Sequence, residues 1–114
     1  MEWIIINSSD QLKEIKEKSQ TKLQVIFKHS IRCAISKMAK NRLEKSKMPD
    51  NIDFYYLDLI NYRSLSRQVA EDFNIGHESP QVLVIKDGKC IYDESHSAIS
   101  MEDIVTEAEA GFTG

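Results

Sequence analysis

Leu23-Gln24-Val25-Ile26-Phe27-Lys28-His29-Ser30-Ile31-Arg32-Cys33-Ala34-Ile35-Ser36 is the stretch on which the fold turns. Leu23 to Phe27 has strand length and is apolar enough for the centre of a sheet. From Cys33 to about Ser46 the pattern is helical, ending before Pro49, since a proline disfavours helix in the residue ahead of it. A cysteine therefore stands where strand gives way to helix. There the free backbone N–H groups and the positive end of the helix dipole favour a thiolate.

Working outward, Trp3 to Ile6 reads as a short first strand, and Ser9 or Asp10 caps a helix that places Leu12 and Ile15 on one face. Ile52 to Leu59 is a third strand. Asn61 or Ser64 caps a helix carrying Leu65, Val69, Ala70 and Phe73, which stops near Gly76. Gln81 to Lys86 and Cys90 to Tyr92 flank Asp87-Gly88, a hairpin signal. Ser100 caps a last helix with Glu102 and Asp103 in its first turn, and the Gly111-Phe112-Thr113-Gly114 tail is expected to fray.

The order is β-α-β-α-β-α-β-β-α. Right-handed crossovers make the β-α-β strands parallel, and the Asp-Gly turn makes the last pair antiparallel. The expectation is a single α/β domain over residues 1–114, a thioredoxin-like mixed sheet flanked by helices, with Cys33 at the active-site position of that architecture.

Composition narrows the function. The 114 residues suffice for one packed core, and a net charge of −3 with mixed signs advertises neither nucleic acid nor an anionic membrane. No apolar stretch approaches about 20 residues, so no membrane partner is expected and the cytoplasm is the default location. Two cysteines make no disulfide framework, and no metal site is expected.

Within the site, Arg32 adds a permanent cation beside the sulfur. Ser36 stands where a C-x-x-C motif carries its second cysteine, one turn from Cys33, with a hydroxyl placed to donate to the thiolate. With no cysteine there, a mixed disulfide on Cys33 must be resolved by an outside thiol. His29 reads first as a surface residue at the strand end, otherwise as a general acid/base. Lys37 reads as a solvated helix lysine. Ser79-Pro80 precedes an apolar strand and is expected to be cis, packing against the sulfur and offering backbone hydrogen bonds to a bound thiol or peptide. Cys90 follows the hairpin turn some six residues from Pro80, roughly 20 Å away. A disulfide needs Cα atoms within about 7 Å, so Cys90 is rejected as a partner of Cys33. Strand five returns Ser95-His96-Ser97 toward Cys33, making His96 a candidate site residue; His77, before Pro80, is a weaker one.

Lys28-His29-Ser30, Cys33 and Ile35-Ser36, with His77-Glu78-Ser79-Pro80-Gln81 and Ser95-His96, resemble the YtxJ-like monothiol bacilliredoxins of the bacillithiol redox system. The resemblance implies a thiol–disulfide oxidoreductase that removes bacillithiol from S-bacillithiolated proteins. Cys33 would be the nucleophile, assisted by Ser36 and Arg32, with Ser79, Pro80, His29 and His96 contacting substrate. Its partners would be S-thiolated client proteins and a low-molecular-weight thiol, bacillithiol serving as co-substrate with no bound cofactor, and the chain would act as a monomer. Bacillithiol carries carboxylates, so Arg32 with His29 or Lys37 would form an anion-attracting rim. Two departures stand out: Ala34 replaces the proline usual after the cysteine, and Leu23 to Phe27 lacks the buried aspartate of ordinary thioredoxins. A binding module presenting the Ser79-Pro80 groove without turnover, and cluster assembly between two chains as in monothiol glutaredoxins, remain alternatives.

Overall fold

The computed structural model describes the backbone of residues 2–113 and side chains through Ala110. The Gly111-Phe112-Thr113-Gly114 tail, expected to fray, lies outside the described side chains. The elements are β1 (Ile4–Ile5), α1 (Ser9–Lys18), β2 (Leu23–His29), α2 (Ala34–Lys45), β3 (Ile52–Asp58), α3 (Arg63–Asp72), β4 (Gln81–Lys86), β5 (Lys89–Ser95) and α4 (Met101–Thr113), with a 3₁₀ turn over His96–Ala98. The five-stranded sheet has the order β1-β3-β2-β4-β5, with β1 and β2 parallel to β3 and with β2-β4 and β4-β5 antiparallel. This is the thioredoxin fold expected from the element order.

Side-chain alternation along β2 divides the core. Val25 and Phe27 join Phe54, Val82 and Val84 under α2 and α4, represented by Leu43 and Ile104. Ile26 joins Tyr55, Leu57, Leu83 and Ile85 under α1 and α3, represented by Leu12, Ile15, Val69 and Phe73. Successive strand residues point to opposite faces, so Lys28 continues the α1/α3 face and His29 the α2/α4 face.

Local chemistry moves several boundaries. The cap of α1 is Ser8 rather than Ser9 or Asp10, because Gln11 Oε1 reaches back to accept from Asn7 N at 2.7 Å and Ser8 N at 3.1 Å. Tyr62, rather than Asn61 or Ser64, precedes α3, because Asp58 Oδ1 gathers the Ile60 and Asn61 N–H groups at 3.0 and 3.3 Å. That helix ends at Asp72, short of Gly76: Asn74 takes the left-handed conformation (φ 53°), and Ile75 N donates to Ala70 O at 3.0 Å. A short polar side chain tolerates that conformation, which supplies the helix stop without glycine.

The hairpin forms with Asp87 at φ 52° and Gly88 at φ 74°, both positive as a two-residue type I′ turn requires. Its tip is tied to the body by Gly88 N donating to Ser19 Oγ at 2.8 Å. Strand β5 extends beyond Tyr92 to Ser95, which pairs with Gln81. It is an edge strand whose last three residues, Asp93 to Ser95, are polar, and its register shifts between Val84 and Ile85, leaving Ile91 as the extra residue. This extension brings the chain back to the level of Pro80.

Candidate active site

Strand β2 keeps its hydrogen bonds two residues past its apolar run: His29 pairs with Asp58 of β3 and Lys28 with Gln81 of β4. The chain then turns, with Cys33 N donating to Ser30 O at 3.2 Å. Cys33 is the N-cap of α2, extended at φ −106°, ψ 121°, and its carbonyl accepts from Lys37 N at 3.1 Å. The first N–H groups of α2 have no intrahelical acceptor and sit on the chain segment that bears the sulfur. Cys33 is partly exposed and free, flanked by exposed Arg32 and Ala34. Lys37 is exposed, as expected. Around the thiol, Ile31, Ile35 and Met38 are also exposed, 46%, 48% and 60% respectively, forming an apolar rim.

His29 corrects the surface reading: it is only 3% exposed. Its position on the α2/α4 face places its ring 5.4 Å from that of Tyr56 and 5.6 Å from that of Phe27. Burial, reinforced by the Lys40 charge, holds the imidazole below the usual histidine range, so it is neutral at physiological pH. Its Nδ1 lies 2.7 Å from Ser36 Oγ, which also accepts from Ser30 N at 3.0 Å. The Ser36 hydroxyl, with one donor and two lone pairs, thus serves the His29 ring and the Ser30 backbone at once. Ser36 is wholly buried, and the partners of its hydroxyl are His29 Nδ1 and Ser30 N. The pair His29–Ser36 thus braces the turn that carries Cys33.

Register sets the opposing wall. Because Lys28 pairs with Gln81 in an antiparallel ladder, Pro80 falls level with His29 and Ser79 with Ser30, next to the turn ending at Cys33. The Ser79–Pro80 bond is cis. Gln81, 1% exposed, clamps the preceding loop: its side chain donates to Gly76 O at 3.0 Å and accepts from Glu78 N at 3.4 Å. Ser79 Oγ is buried without a hydrogen-bond partner among the described residues. His96, at the end of β5 with φ 60°, donates its N–H to Pro80 O at 3.0 Å, and its Nε2 lies 3.3 Å from Glu78 Oε2. The structure thus brings His96 to the cis-proline, as the returning strand predicted.

Cys90 stands opposite Ile85 at the other end of the hairpin, with its thiol donating to Tyr92 O at 3.3 Å. Burial pushes that thiol up to about 11. His77 faces away from the Cys33 turn, toward α3, where its Nδ1 lies 3.3 Å from Lys28 Nζ and 3.4 Å from Ser66 Oγ. Ser66 and the apolar rim escaped the sequence reading, and Lys28 and Gln81 stood in it only within the segments that carry the family resemblance. The rim left a signal in the spacing of Ile31, Ile35 and Met38, four and then three residues apart. What assembles here is a single partly exposed thiol at a helix start, facing a cis-proline, suited to attack on a disulfide sulfur.

A family model described as monothiol bacilliredoxin BrxC matches residues 4–104. A solved structure described as a candidate oxidoreductase with a thioredoxin fold is 30% identical, with a TM-score of 0.81 and 92% of each chain covered. Malassezia sympodialis thioredoxin matches at 24% identity and TM-score 0.68, over 98% of this chain and 89% of that one. Trypanosoma brucei brucei thioredoxin matches at 14% identity and TM-score 0.75, over 99% and 93%. The two thioredoxins are likenesses of fold alone.

Proposed function

The chain belongs to the monothiol bacilliredoxin family, and from that premise we propose that this YtxJ-like member removes bacillithiol from S-bacillithiolated proteins through Cys33. The Cys33 thiolate attacks the bacillithiol sulfur of the client's mixed disulfide. A Cys33–bacillithiol disulfide forms as the client thiolate leaves and takes up a proton. A second thiol, free bacillithiol, then attacks that disulfide, restoring Cys33 and departing as oxidised bacillithiol. Electrons balance across the cycle: the sulfur of the free bacillithiol is oxidised as the client sulfur is reduced, and the bacillithiol sulfur taken from the client stays in a disulfide throughout.

The observation carrying this reading is that Cys33 is partly exposed while its helix neighbour at the resolving position is a buried serine and Cys90 sits at the opposite end of the hairpin. An internal disulfide is out of reach of either, so the intermediate waits for a small thiol. Ser79 and Pro80 would align the incoming disulfide along β4. Arg32 would attract its carboxylates, and the Ile31, Ile35 and Met38 rim would receive the client surface. His96, held to Pro80, would close one end of the groove. His29 and Ser36 would act by holding the turn.

The test is release of bacillithiol from a bacillithiolated client by the full chain in the presence of free bacillithiol. Turnover is expected with the native protein and Cys90→Ser, and none with Cys33→Ser. Activity surviving in Cys33→Ser would refute the assignment. Stable client binding without release would instead favour a docking module that uses the cis-proline groove.

A further inference from the structure

The α1/α3 face of β2 ends in a buried cation. Lys28 is wholly buried, and its Nζ has His77 Nδ1, at 3.3 Å, as its hydrogen-bond partner. An ammonium carries three N–H donors and gains little from one neutral nitrogen. Burial accordingly pushes Lys28 down to about 8. Next to it opens a pocket of about 400 Å³ lined by Leu59, Arg63, Ser66, Arg67 and His77. Arg63 and Arg67 are exposed and lie one turn apart on α3, on the same helix face. Among the described residues, no carboxylate stands within ion-pair distance of Lys28, Arg63 or Arg67. The acidic residue nearest in sequence to His77, Glu78, is turned toward His96 at 3.3 Å. Ser66 adds a buried hydroxyl, 3.4 Å from His77 Nδ1. The pocket thus sets two arginines, beside the buried Lys28, that pair with no carboxylate within 4 Å among the described residues.

The pocket adjoins the thiol's end of the sheet. Leu59, in its wall, donates its N–H to His29 O at 3.1 Å. His77 precedes Pro80 by three residues, a span of roughly 10 Å at most. A ligand with its sulfur at Cys33 and its body over the 77–80 loop would present its far end to the two arginines. Guanidinium groups match carboxylates bidentately, and their separation along the helix, about 6 Å, suits a four-carbon diacid.

We propose that this pocket is a subsite for the carboxylates of the small thiol exchanged at Cys33. The proposal rests on the reading of Cys33 as an exchanging thiol, and its test separates the two. Succinate, which has no sulfur, is titrated into the full-length Cys33→Ser protein and followed by the NMR signals of His77 and of residues 63–67. Saturable binding is expected, weakened at least about tenfold in Arg63→Ala/Arg67→Ala on the same background. Unsaturable shifts, or equal binding without the arginines, overturn the subsite.

A kinetic arm then compares exchange at Cys33 with oxidised mercaptosuccinate and with the neutral hydroxyethyl disulfide. A preference for the charged disulfide is expected, falling about tenfold with both arginines removed and carried by KM. An unchanged preference overturns the link to the co-substrate even where succinate binds. Succinate binding with no reaction of either disulfide would instead overturn the exchange reading of Cys33, and with it the assignment of the pocket to a thiol.

Discussion

Cys33 and Cys90 are the same side chain in two settings. Both are partly exposed, but Cys33 ends a turn at a helix start, whereas the Cys90 thiol is hydrogen-bonded to Tyr92 O and pushed up to about 11 by burial. Only a thiolate alkylates, so iodoacetamide near neutral pH is expected to label Cys33 alone in the folded protein, as peptide mapping would show. A label on Cys90 under the same conditions would contradict this. Ser36 carries a different expectation. Ser36→Ala deletes the acceptor for Ser30 N and the hydrogen-bond partner of His29 Nδ1 at once, so chemical denaturation should register a loss of about 1–3 kcal/mol. A loss within error of zero would mean the brace is inert. The sequence displayed the nucleophile because a cysteine at a strand-to-helix junction is a local pattern. It hid the contact of Ser36 with His29, because that depends on which way the His29 ring faces. His29 looked superficial for the same reason: its polarity, rather than the length of β2, guided the reading.

At the scale of the element, β2 is a central strand that stays buried through its polar end, Lys28 and His29 included. Its apolar run was legible, and its last two residues were not, because partners 29 and 49 residues away, Asp58 and His77, hold them. If the Lys28 ammonium is retained for binding rather than for stability, Lys28→Met is expected to stabilise the fold by on the order of 1–3 kcal/mol near neutral pH, while weakening succinate binding. Destabilisation by this substitution would show that the buried ammonium is well compensated in the free protein. The hairpin β4–β5 was read from Asp87-Gly88 because that turn is encoded by two adjacent residues. Nothing lies within 4 Å of a Cβ placed on Gly88, so Gly88→Ala meets only the backbone penalty of φ 74°. A loss of about 1–2 kcal/mol in the same denaturation measurement follows, and an unchanged midpoint would contradict it.

For the whole molecule, the order of strands and helices was legible because each element is a separate hydrophobic pattern and handedness leaves few ways to join them. The candidate site was legible in its sequence-local parts, Cys33, Arg32 and Ser79-Pro80, and in His96, which the hairpin returns to Pro80. The basic pocket that α3 forms with Leu59 and His77, and the Gln81 clamp, arise from tertiary approach. Stability should also fall on acidification. Burial holds the His29 imidazole below its unfolded value near 6.5, so the unfolded chain binds the proton more readily. Its contribution is therefore complete above about pH 6.5 and is lost as the pH falls through the lower folded value. Urea midpoints should decline between about pH 7 and pH 5, less steeply in His29→Gln; an equal decline in both would assign the effect to other groups. The central claim, that Cys33 alone exchanges with a small thiol, is tested most directly by the intact mass of the folded chain after exposure to oxidised bacillithiol. The account predicts one bacillithiol adduct per chain, mapped to Cys33, retained in Cys90→Ser and absent in Cys33→Ser. No adduct, or one carried by Cys90, would contradict it.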